Sequence, residues 1–288
     1  MSVPTVRRRR LGAKLRALRG ELTLDEVAER SEGLFVPSKL SRIETAKSAT
    51  KAKDVEALLD LYATLGREVS DELRAALVML TKDGDQRGWW NSYRDVLTPA
   101  YEDLISLEAE AESVSAWHLG AIPGLLQTAE YAREINRATA MSEAVAAQID
   151  ALVEVRLARQ AVLTREKPLT MWAIIAEQAL RSTVADENLM YEQLGRLLSM
   201  SKRPNVTIQV LRSEAPLHVG QLGTFSILGF GPHMDLDVAY TEGLASTPLY
   251  VEDRDKIAVY RTAWQRLASA AESVEASAVL IAQIRKSL

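Results

Sequence analysis

The stretch LTLDEVAERSEGLFVPSKLSRIETAK, residues 22–47, decides the fold of the N-terminal part of the chain. Thr23 and Glu26 have the Thr-x-x-Glu spacing of a capping box, which predicts that a helix begins there. Gly33 marks a turn after that helix. Pro37 then begins another helix, in a position where the missing N–H of proline costs nothing. The stretch therefore predicts two short helices joined by a turn.

The residues on either side extend these two helices into a small bundle. A preceding helix carries leucines at three- and four-residue intervals, and a following helix begins near Asp54 with an apolar side of its own. The apolar positions of these two helices are Leu11, Leu15, Leu18, Leu22, Val55, Leu58, Leu59 and Tyr62. Short helices with a tight turn before the third are typical of a helix-turn-helix, which we place in residues 1–66.

The third helix, from about Pro37 to Thr45, carries the side chains expected to read DNA. In a helix-turn-helix this helix enters the major groove. Arg42 is the best candidate for a guanine or phosphate contact, because its planar fork matches either. The candidate DNA-binding residues are Arg10, Thr23, Pro37, Ser38, Lys39, Ser41, Arg42, Thr45 and Lys47. Those expected to point outward from the third helix are Ser38, Lys39, Ser41 and Arg42. The alternative is a protein-interaction module built from the same helices.

Charge is divided unevenly along the chain. Residues 1–65 hold 13 Lys and Arg against 9 Asp and Glu, a net +4, whereas the whole chain has a net charge of −4. A basic N-terminal part on an acidic remainder favours an N-terminal contact with phosphate. Arg7 to Arg10 and Lys47 are expected to neutralise phosphates, which positions the domain without reading sequence.

Several classes of protein are disfavoured by composition. The chain has no cysteine, so it has neither disulfides nor a thiolate metal site. No apolar run approaches the roughly 18–20 residues that span a bilayer. The start, MSVPTVRRRR, lacks the apolar core of a secretory signal. We therefore expect a cytoplasmic protein without a membrane segment.

PSKLSRIETAK at 37–47, after LRALRGELTLDEVAER at 15–30, resembles the XRE (Cro/repressor-like) family of DNA-binding regulators. The Ser-Arg-Ile-Glu core of the third helix is the most specific part of this resemblance. Three features depart from the family pattern. Leu24 stands where the family often has a glutamine that contacts bases or phosphate, Ala46 replaces the usual glycine after the third helix, and the turn at 31–35 is longer than the common one.

Residues 67–288 form the predicted second domain, which we expect to be helical over 67–165 and mixed α/β over 166–288. In the helical part, 99–118 and Ser142 to Leu163 are each predicted as a helix. Strands are predicted at 169–175, 206–211, 224–228 and 236–240. The predicted fold class is mainly α with a smaller α/β part, namely a helix-turn-helix bundle, a helical region, and a mixed sheet of three to five strands flanked by helices.

The C-terminal segment contains no Gly or Pro after Pro248. Its apolar residues from Ile257 to Ile281 follow three- and four-residue spacing, as in a coiled coil. Alanine and serine dilute this apolar seam, so we favour a core helix packed on the sheet, with a possible break near Ser269.

The second domain contains a distinctive IPGLLQT sequence at 122–128. Further notable residues are Arg87, Gly88, Trp89, Trp90, Leu107, Glu108, Tyr131, Ala132, Arg133, Arg156, Arg159, Gln160, Gln193, Leu194, Pro204, Asn205 and Val206. Together they resemble the large domain of actinobacterial WhiJ-type regulators, which is found behind XRE domains. The resemblance implies pairing with a small companion protein, in an arrangement like a toxin–antitoxin or developmental switch module.

The sequence shows no catalytic constellation. His118, His218 and His233 are far apart, and none belongs to a metal-ligand spacing such as HExxH. Neither a phosphate loop nor a Gly-x-Ser-x-Gly motif occurs. We therefore expect no enzyme activity, no metal and no cofactor. The rival interpretation is an enzyme targeted to DNA that uses Glu177, Glu242 or the arginines.

Aromatic and basic residues of the second domain form the predicted binding site for a partner or effector. They are Trp89, Trp90, Tyr93, Tyr101, Gln127, Tyr131, Arg156 and Arg159. Ligand sites combine apolar walls with a few polar anchors, so these residues are expected to line a pocket or a partner groove. The alternative is that most of them are ordinary core residues.

The sequence as a whole predicts a transcriptional regulator that binds a palindromic operator in double-stranded DNA as a homodimer. Two half-sites are expected because one helix-turn-helix buries little surface and linkage raises affinity. The second domain is expected to dimerise and to bind a small companion protein or a small-molecule effector. The resemblance to WhiJ-type regulators favours the companion protein.

Overall fold

A computed structural model describes residues 4–81, 89–182, 187–231, 236–242 and 248–288. The chain forms two compact units, Met1–Trp89 and Trp90–Leu288, called the first and second unit below. Within the described residues, the molecule is mainly helical and contains one six-stranded mixed sheet. The predicted fold class is confirmed.

The first unit consists of five helices in its described part. They are α1 (Val6–Arg19), α2 (Leu24–Arg30), α3 (Pro37–Glu44), α4 (Ala52–Thr64) and α5 (Asp71–Thr81). Their shared core includes Leu11, Leu15, Val27, Leu40, Ile43, Val55, Leu58, Leu59, Tyr62, Leu73 and Leu77. Because α5 packs against α1 and α4, it lies with the helix-turn-helix, beyond the boundary predicted at residue 66.

Close contact between α1 and the end of α3 depends on Gly12. A Cβ atom at this position would lie 2.6 Å from the Glu44 carbonyl oxygen and 2.7 Å from that of Ile43. Any side chain would therefore push the two helices apart. Glycine at this position allows the backbone of α1 to approach the C-terminal end of α3.

The second unit surrounds its sheet with helices. Its α-helices are α6 (Pro99–Glu110), α7 (Ala129–Thr139), α8 (Glu143–Ala146), α9 (Ile149–Arg159), α10 (Glu177–Leu180), α11 (Glu187–Met200), α12 (Arg254–Ala270) and α13 (Val274–Lys286). Short 3-10 helices lie at Trp89–Tyr93, Gly124–Leu126, Gln160–Leu163 and Val219–Leu222. The strands are β1 (Ser113–His118), β2 (Thr170–Ala176), β3 (Val206–Leu211), β4 (Phe225–Gly229), β5 (Val238–Glu242) and β6 (Pro248–Val251).

The strand order is β3-β2-β1-β4-β5-β6. Strands β1, β2 and β3 are parallel, whereas β4, β5 and β6 pair antiparallel. Trp117 of β1 lies opposite Ile174 of β2, and Ser115 lies opposite Ile227 of β4. The strand β1 is therefore the point at which the parallel half of the sheet meets the antiparallel half.

Two predictions about the helical part were wrong. The segment 99–118 is helical only to Glu110, and Ser113–His118 forms β1. With β6, which was not predicted either, this strand raises the described count from the four predicted ranges to six. Pairing with strands on both sides satisfies the backbone of β1, and this tertiary pairing outweighs the local helical pattern. The helix predicted from Ser142 to Leu163 is divided into α8, α9 and a 3-10 helix.

The C-terminal segment forms two helices bent by 69° at their break, so the core-helix interpretation is confirmed over the coiled coil. Ile257 and Leu267 of α12 are buried in the cluster that covers one face of the sheet. In the described part of the chain no single helix is long and apolar enough to cross a membrane. Helices α12 and α13 taken together reach that length and composition.

Candidate DNA interface and the polar network of the second unit

The outer face of α3 carries most of the residues predicted to contact DNA. Ser38, Arg42 and Thr45 are exposed, as is Lys47 just beyond the helix, whereas Ser41 is half-buried. The Thr45 hydroxyl donates a hydrogen bond to the Ser41 carbonyl, 2.6 Å away. The opposite side of the helix is anchored by the buried Leu40 and Ile43. This burial fixes which face of α3 is presented to solvent.

Arg42 is an available cation on this face. Its side chain is exposed and makes no hydrogen bond or ion pair with any residue that the structure describes. A guanidinium in this state has its full set of donors for a base edge or a phosphate.

Lys39 does not point freely outward as predicted. Its Nζ lies 3.0 Å from Asp54 Oδ1 and 4.8 Å from the centre of the Phe35 ring. Helix α3 thus uses Lys39 to contact α4, since Asp54 lies on that helix. Recognition of a base by Lys39 would require it to leave Asp54.

The remaining predicted DNA contacts have different surroundings. Arg10 is only 4% exposed, so it has little surface to offer a phosphate. Pro37 is half-buried and begins α3. The Thr23 hydroxyl accepts from the Glu26 backbone N–H at 3.2 Å, while the Glu26 carboxylate accepts from the Thr23 N–H at 2.7 Å. The predicted capping box is therefore present.

The capping box also places a negative charge at the start of α2. The backbone N–H of Thr23, followed by its hydroxyl, lowers the pKa of Glu26 below its usual range. The carboxylate therefore stays ionised at neutral pH. It occupies the helix N-terminus, a position that would otherwise favour a phosphate.

Two exposed apolar side chains beside α3 were missed by the sequence reasoning. Leu34 is 60% exposed and Val36 is 54% exposed, and both lie in the turn that leads into α3. Apolar side chains at a major-groove surface contact thymine methyl groups. The sequence signal that could have found them is their place in the turn, since Leu34 directly follows Gly33 and Val36 directly precedes Pro37.

A half-buried ion pair holds α3 in place and was also missed. Arg19 of α1 binds the Glu44 carboxylate through two hydrogen bonds, Nε to Oε1 at 2.7 Å and Nη2 to Oε2 at 2.9 Å. The hydrogen bond to Glu44 raises the pKa of Arg19. Arg19 also donates to the Leu22 carbonyl and accepts, through its own carbonyl, a 3.2 Å hydrogen bond from Arg67. A two-point contact of this kind fixes the orientation of α3 relative to α1.

In the second unit, Arg159 forms a buried ion pair. Its guanidinium binds both oxygens of the Glu108 carboxylate, at 2.8 and 2.6 Å, and donates to the Tyr101 hydroxyl. Burial alone would lower the pKa of Arg159, but the charge of Glu108 and its hydrogen bonds raise it well above the usual value. The pair links α6 to α9.

A second polar network supports the IPGLLQT segment. Gln127 Nε2 donates to the Ile122 carbonyl at 2.7 Å, and Arg156 donates to Gln127 Oε1 at 2.7 Å. The Ile122 N–H donates to the Tyr131 hydroxyl at 3.2 Å. Gln160 Nε2 donates to the Gln127 carbonyl at 2.8 Å. These contacts hold the loop through the side chains of Gln127, Tyr131, Arg156 and Gln160.

The predicted partner-binding residues therefore occupy mainly interior positions. Gln127, Tyr131 and Arg159 are buried. Trp90, Tyr93 and Tyr101 pack around Leu97, Ile105 and Val155. Trp89 is 42% exposed, whereas Arg87 and Gly88 lie outside the described residues. These positions favour the alternative that most of the set are core residues.

The rival enzymatic residues are held in ion pairs or exposed. Glu177 is buried and accepts from Arg181 Nε at 2.8 Å and from the Ser213 N–H at 3.1 Å. Glu242 is exposed at the end of β5. Within the described ranges, no three His, Asp or Glu side chains are grouped so as to hold a metal ion.

The histidines are separate from one another where they are described. His118 is buried in β1, and burial lowers its pKa. The His218 ring contacts the edge of Trp117, with centroids 5.6 Å apart. His233 lies outside the described residues.

Comparison with protein families identifies the second unit. A domain of unknown function, DUF5753, matches residues 101–283, which is more than half of the chain. The chain belongs to the DUF5753 family. A helix-turn-helix domain also matches residues 10–73, from α1 into α5. The search of curated proteins and the search of solved structures each found no match.

The two matches agree with the architecture of this DUF5753 protein. The helix-turn-helix match contains α2, the turn and α3, and it indicates a DNA-binding regulator. The DUF5753 match contains all six described strands and both polar networks. The exposed face of α3 is accordingly the candidate DNA interface.

Proposed function

We propose that this DUF5753 protein is a sequence-specific transcriptional regulator of the XRE type, which binds an operator as a homodimer in the cytoplasm. The exposed guanidinium of Arg42, on a helix oriented by the Arg19–Glu44 pair, carries the proposal. Base-reading side chains are effective only when the helix that bears them is held in a fixed orientation.

The second unit would provide the regulatory input in this proposal. Its similarity to WhiJ-type regulators supports a small companion protein as the signal, and a small-molecule effector is the alternative. Either one would act by binding one conformational state of the regulator more tightly than the other. The unit is proposed to be non-catalytic, because the acidic side chains Glu108, Glu177 and Asp237 are each bound to an arginine.

The direct test is a fluorescence-anisotropy titration of the full chain against duplex DNA from upstream of its own coding sequence, at several salt concentrations. We expect tight binding that weakens steeply with salt and survives competitor DNA. Arg42→Ala should weaken specific binding by about tenfold to a hundredfold, as expected for the loss of a base or phosphate contact.

Arg266→Ala is the matched control, because Arg266 is an exposed arginine of α12 in the second unit. It should bind the operator like the unsubstituted protein. Binding no tighter than to random duplex, or equal loss in both variants, would contradict a DNA-reading role for α3.

A further inference from the structure

The sheet face beneath α12 is apolar in one half and polar in the other. Trp117, Ile174 and Phe225 fill the apolar half and pack against α12. In the other half, Ser115 lies opposite Trp172, and Ser113 lies opposite Gly229. Ser113 is exposed and Ser115 and Gly229 are half-buried, so this part of the face is polar and open to solvent, whereas the apolar part is covered by α12.

A cavity of about 290 Å³ lies between the polar half of the sheet and α12. Ser113, Ser115 and Gly229 contribute to its sheet side, while Arg261, Trp264 and Gln265 contribute from α12. The α12 residues follow three- and four-residue spacing and so share one side of the helix. A Cβ atom at position 229 would lie 2.4 Å from Ser113 Oγ, so the strand carries bare backbone here.

The charged groups of the cavity neutralise each other. Arg261 donates to the Asp237 carboxylate, which also accepts a 3.1 Å hydrogen bond from the Phe230 N–H. An anionic ligand would have to compete with Asp237 for Arg261. The other polar groups of the lining side chains are the serine hydroxyls, the Gln265 carboxamide and the Trp264 indole N–H, which are uncharged. The indole N–H is buried and has no hydrogen-bond partner among the described residues.

We propose that this cavity binds a small, uncharged ring compound with one apolar face and hydrogen-bonding groups on its rim, a chemistry shared by nucleosides and monosaccharides. The indole of Trp264 and the side chain of Ile227 offer apolar contact, and the hydroxyls and carboxamide offer hydrogen bonds. The volume is near the lower limit of ligand sites, about 300 Å³, so the ligand is small.

This inference rests on the proposed function and specifies the small-molecule form of its regulatory input. The ligand would bind where α12 crosses the sheet, among residues outside the set chosen from the sequence. Ser113, Ser115, Ile227, Asp237 and Trp264 lay in segments predicted from the sequence as helix or strand, and none was assigned to binding.

The test measures thermal unfolding of the full chain with adenosine, guanosine, glucose and N-acetylglucosamine as probes. Adenosine monophosphate and glucose 6-phosphate serve as charged counterparts. At least one uncharged probe should raise Tm, and its charged counterpart should bind about tenfold more weakly or worse, because it disturbs the Arg261–Asp237 pair. The response to the nucleosides compared with the response to the sugars shows which of the two classes of compound the cavity binds. No response to any uncharged probe at millimolar concentration, or equal binding of the charged compounds, overturns the proposal.

Two variants locate the binding. Gln265→Ala removes a hydrogen-bonding group at the exposed rim and should weaken binding by about tenfold. Gln221→Ala, an exposed glutamine outside the cavity lining, should leave it unchanged. Ser115→Phe fills the cavity and should abolish binding; if it fails to fold, Gln265→Ala decides. Unchanged binding by Gln265→Ala overturns the proposal.

Operator binding without any probe separates this inference from the proposed function. The Gln265→Ala variant should bind operator DNA like the unsubstituted protein. If the chain binds a probe in the cavity but binds no DNA sequence specifically, the ligand site is supported and the proposed function is contradicted. If the chain binds its operator but binds no probe, the proposed function is supported and the ligand site is contradicted.

Discussion

Arg42 in the first unit and Arg159 in the second both lie in the last turn of a helix, yet their surroundings are opposite. The Arg42 side chain is exposed and binds no described residue, whereas the Arg159 side chain is 6% exposed and binds Glu108 at two points. Both were candidate binding residues from the sequence. Residue type and helix position show where a charged side chain lies. Its burial decides whether that side chain can bind DNA or a ligand, or instead holds two helices together.

The largest expected effect is the loss of the buried pair. Arg159→Ala leaves the Glu108 carboxylate buried without its partner, which should lower the free energy of unfolding of the second unit by about 3–5 kcal/mol. Urea unfolding followed by circular dichroism measures this change, with the two units treated as separate transitions.

Two further variants serve as controls for this prediction. Arg42→Ala should change stability by no more than about 0.5 kcal/mol, since it alters an exposed position. The double variant Glu108→Leu with Arg159→Met removes both charges and should recover much of the loss. A large destabilisation by Arg42→Ala would break the contrast between the two arginines.

The next effect concerns the approach of α1 to α3. Gly12→Ala places a methyl group 2.6 Å from the Glu44 carbonyl oxygen, which should destabilise the first unit by about 1–3 kcal/mol and weaken operator binding. Gly120→Ala, in the second unit, is the matched control because a Cβ there meets nothing within 4 Å. Equal effects of the two substitutions, measured by urea unfolding, would show that Gly12 does not set the helix packing.

Acid should affect the second unit through Glu177. Burial would raise the pKa of Glu177, but Arg181, the Ser213 N–H and Arg212 lower it below the usual range. A lowered folded-state pKa stabilises the protein above the unfolded carboxyl pKa of about 4.3, and this contribution is lost as pH falls through the folded value.

Glu177→Gln should therefore reduce the fall in Tm of the second unit between about pH 6 and about pH 3, as measured by calorimetry. The exposed Glu130→Gln should leave the profile unchanged. If Tm falls with pH equally in Glu177→Gln and in the unsubstituted protein, the ion pairs of Glu177 do not contribute to acid sensitivity.

The smallest effect is at Ala46, which has φ 57° in the left-handed region after α3. Ala46→Gly relieves that strain but removes a buried methyl group, so the first unit should gain about 0.5 kcal/mol. Ala75→Gly, at an exposed position inside α5, should instead lose about 1 kcal/mol. If urea unfolding shows that both substitutions destabilise the protein, the loss of the buried methyl group at position 46 costs more than the relief of backbone strain gains.

Local signals predicted local structure well. The Thr23–Glu26 capping box and the proline at the start of α3 both appear as expected, and the predicted strand 206–211 coincides with β3. These features depend on neighbours a few residues away. The third helix was therefore placed correctly, together with the exposed Arg42.

Features that depend on distant partners were missed. The strand β1 pairs with β2 and β4, which lie far along the chain, so the sequence SVSAWH gave no sign of its partners. Lys39 was assigned outward because the helical period cannot reveal Asp54 beside it. The cavity arises from the alignment of Ser113 with Gly229, and strand register across more than a hundred residues is not readable from one sequence.

The central place of β1 has a consequence for biosynthesis. Ser113 leaves the ribosome long before Gly229, its partner across the sheet, so β1 has one edge unpaired until β4 has been made. The five described helices of the first unit, by contrast, all lie within residues 6–81, so this unit can fold while translation continues. Nascent chains arrested after β2 and β3 have left the ribosome, but before β4 has been made, should accordingly contain a folded helix-turn-helix and a partial sheet whose unpaired β1 edge is accessible to chaperones.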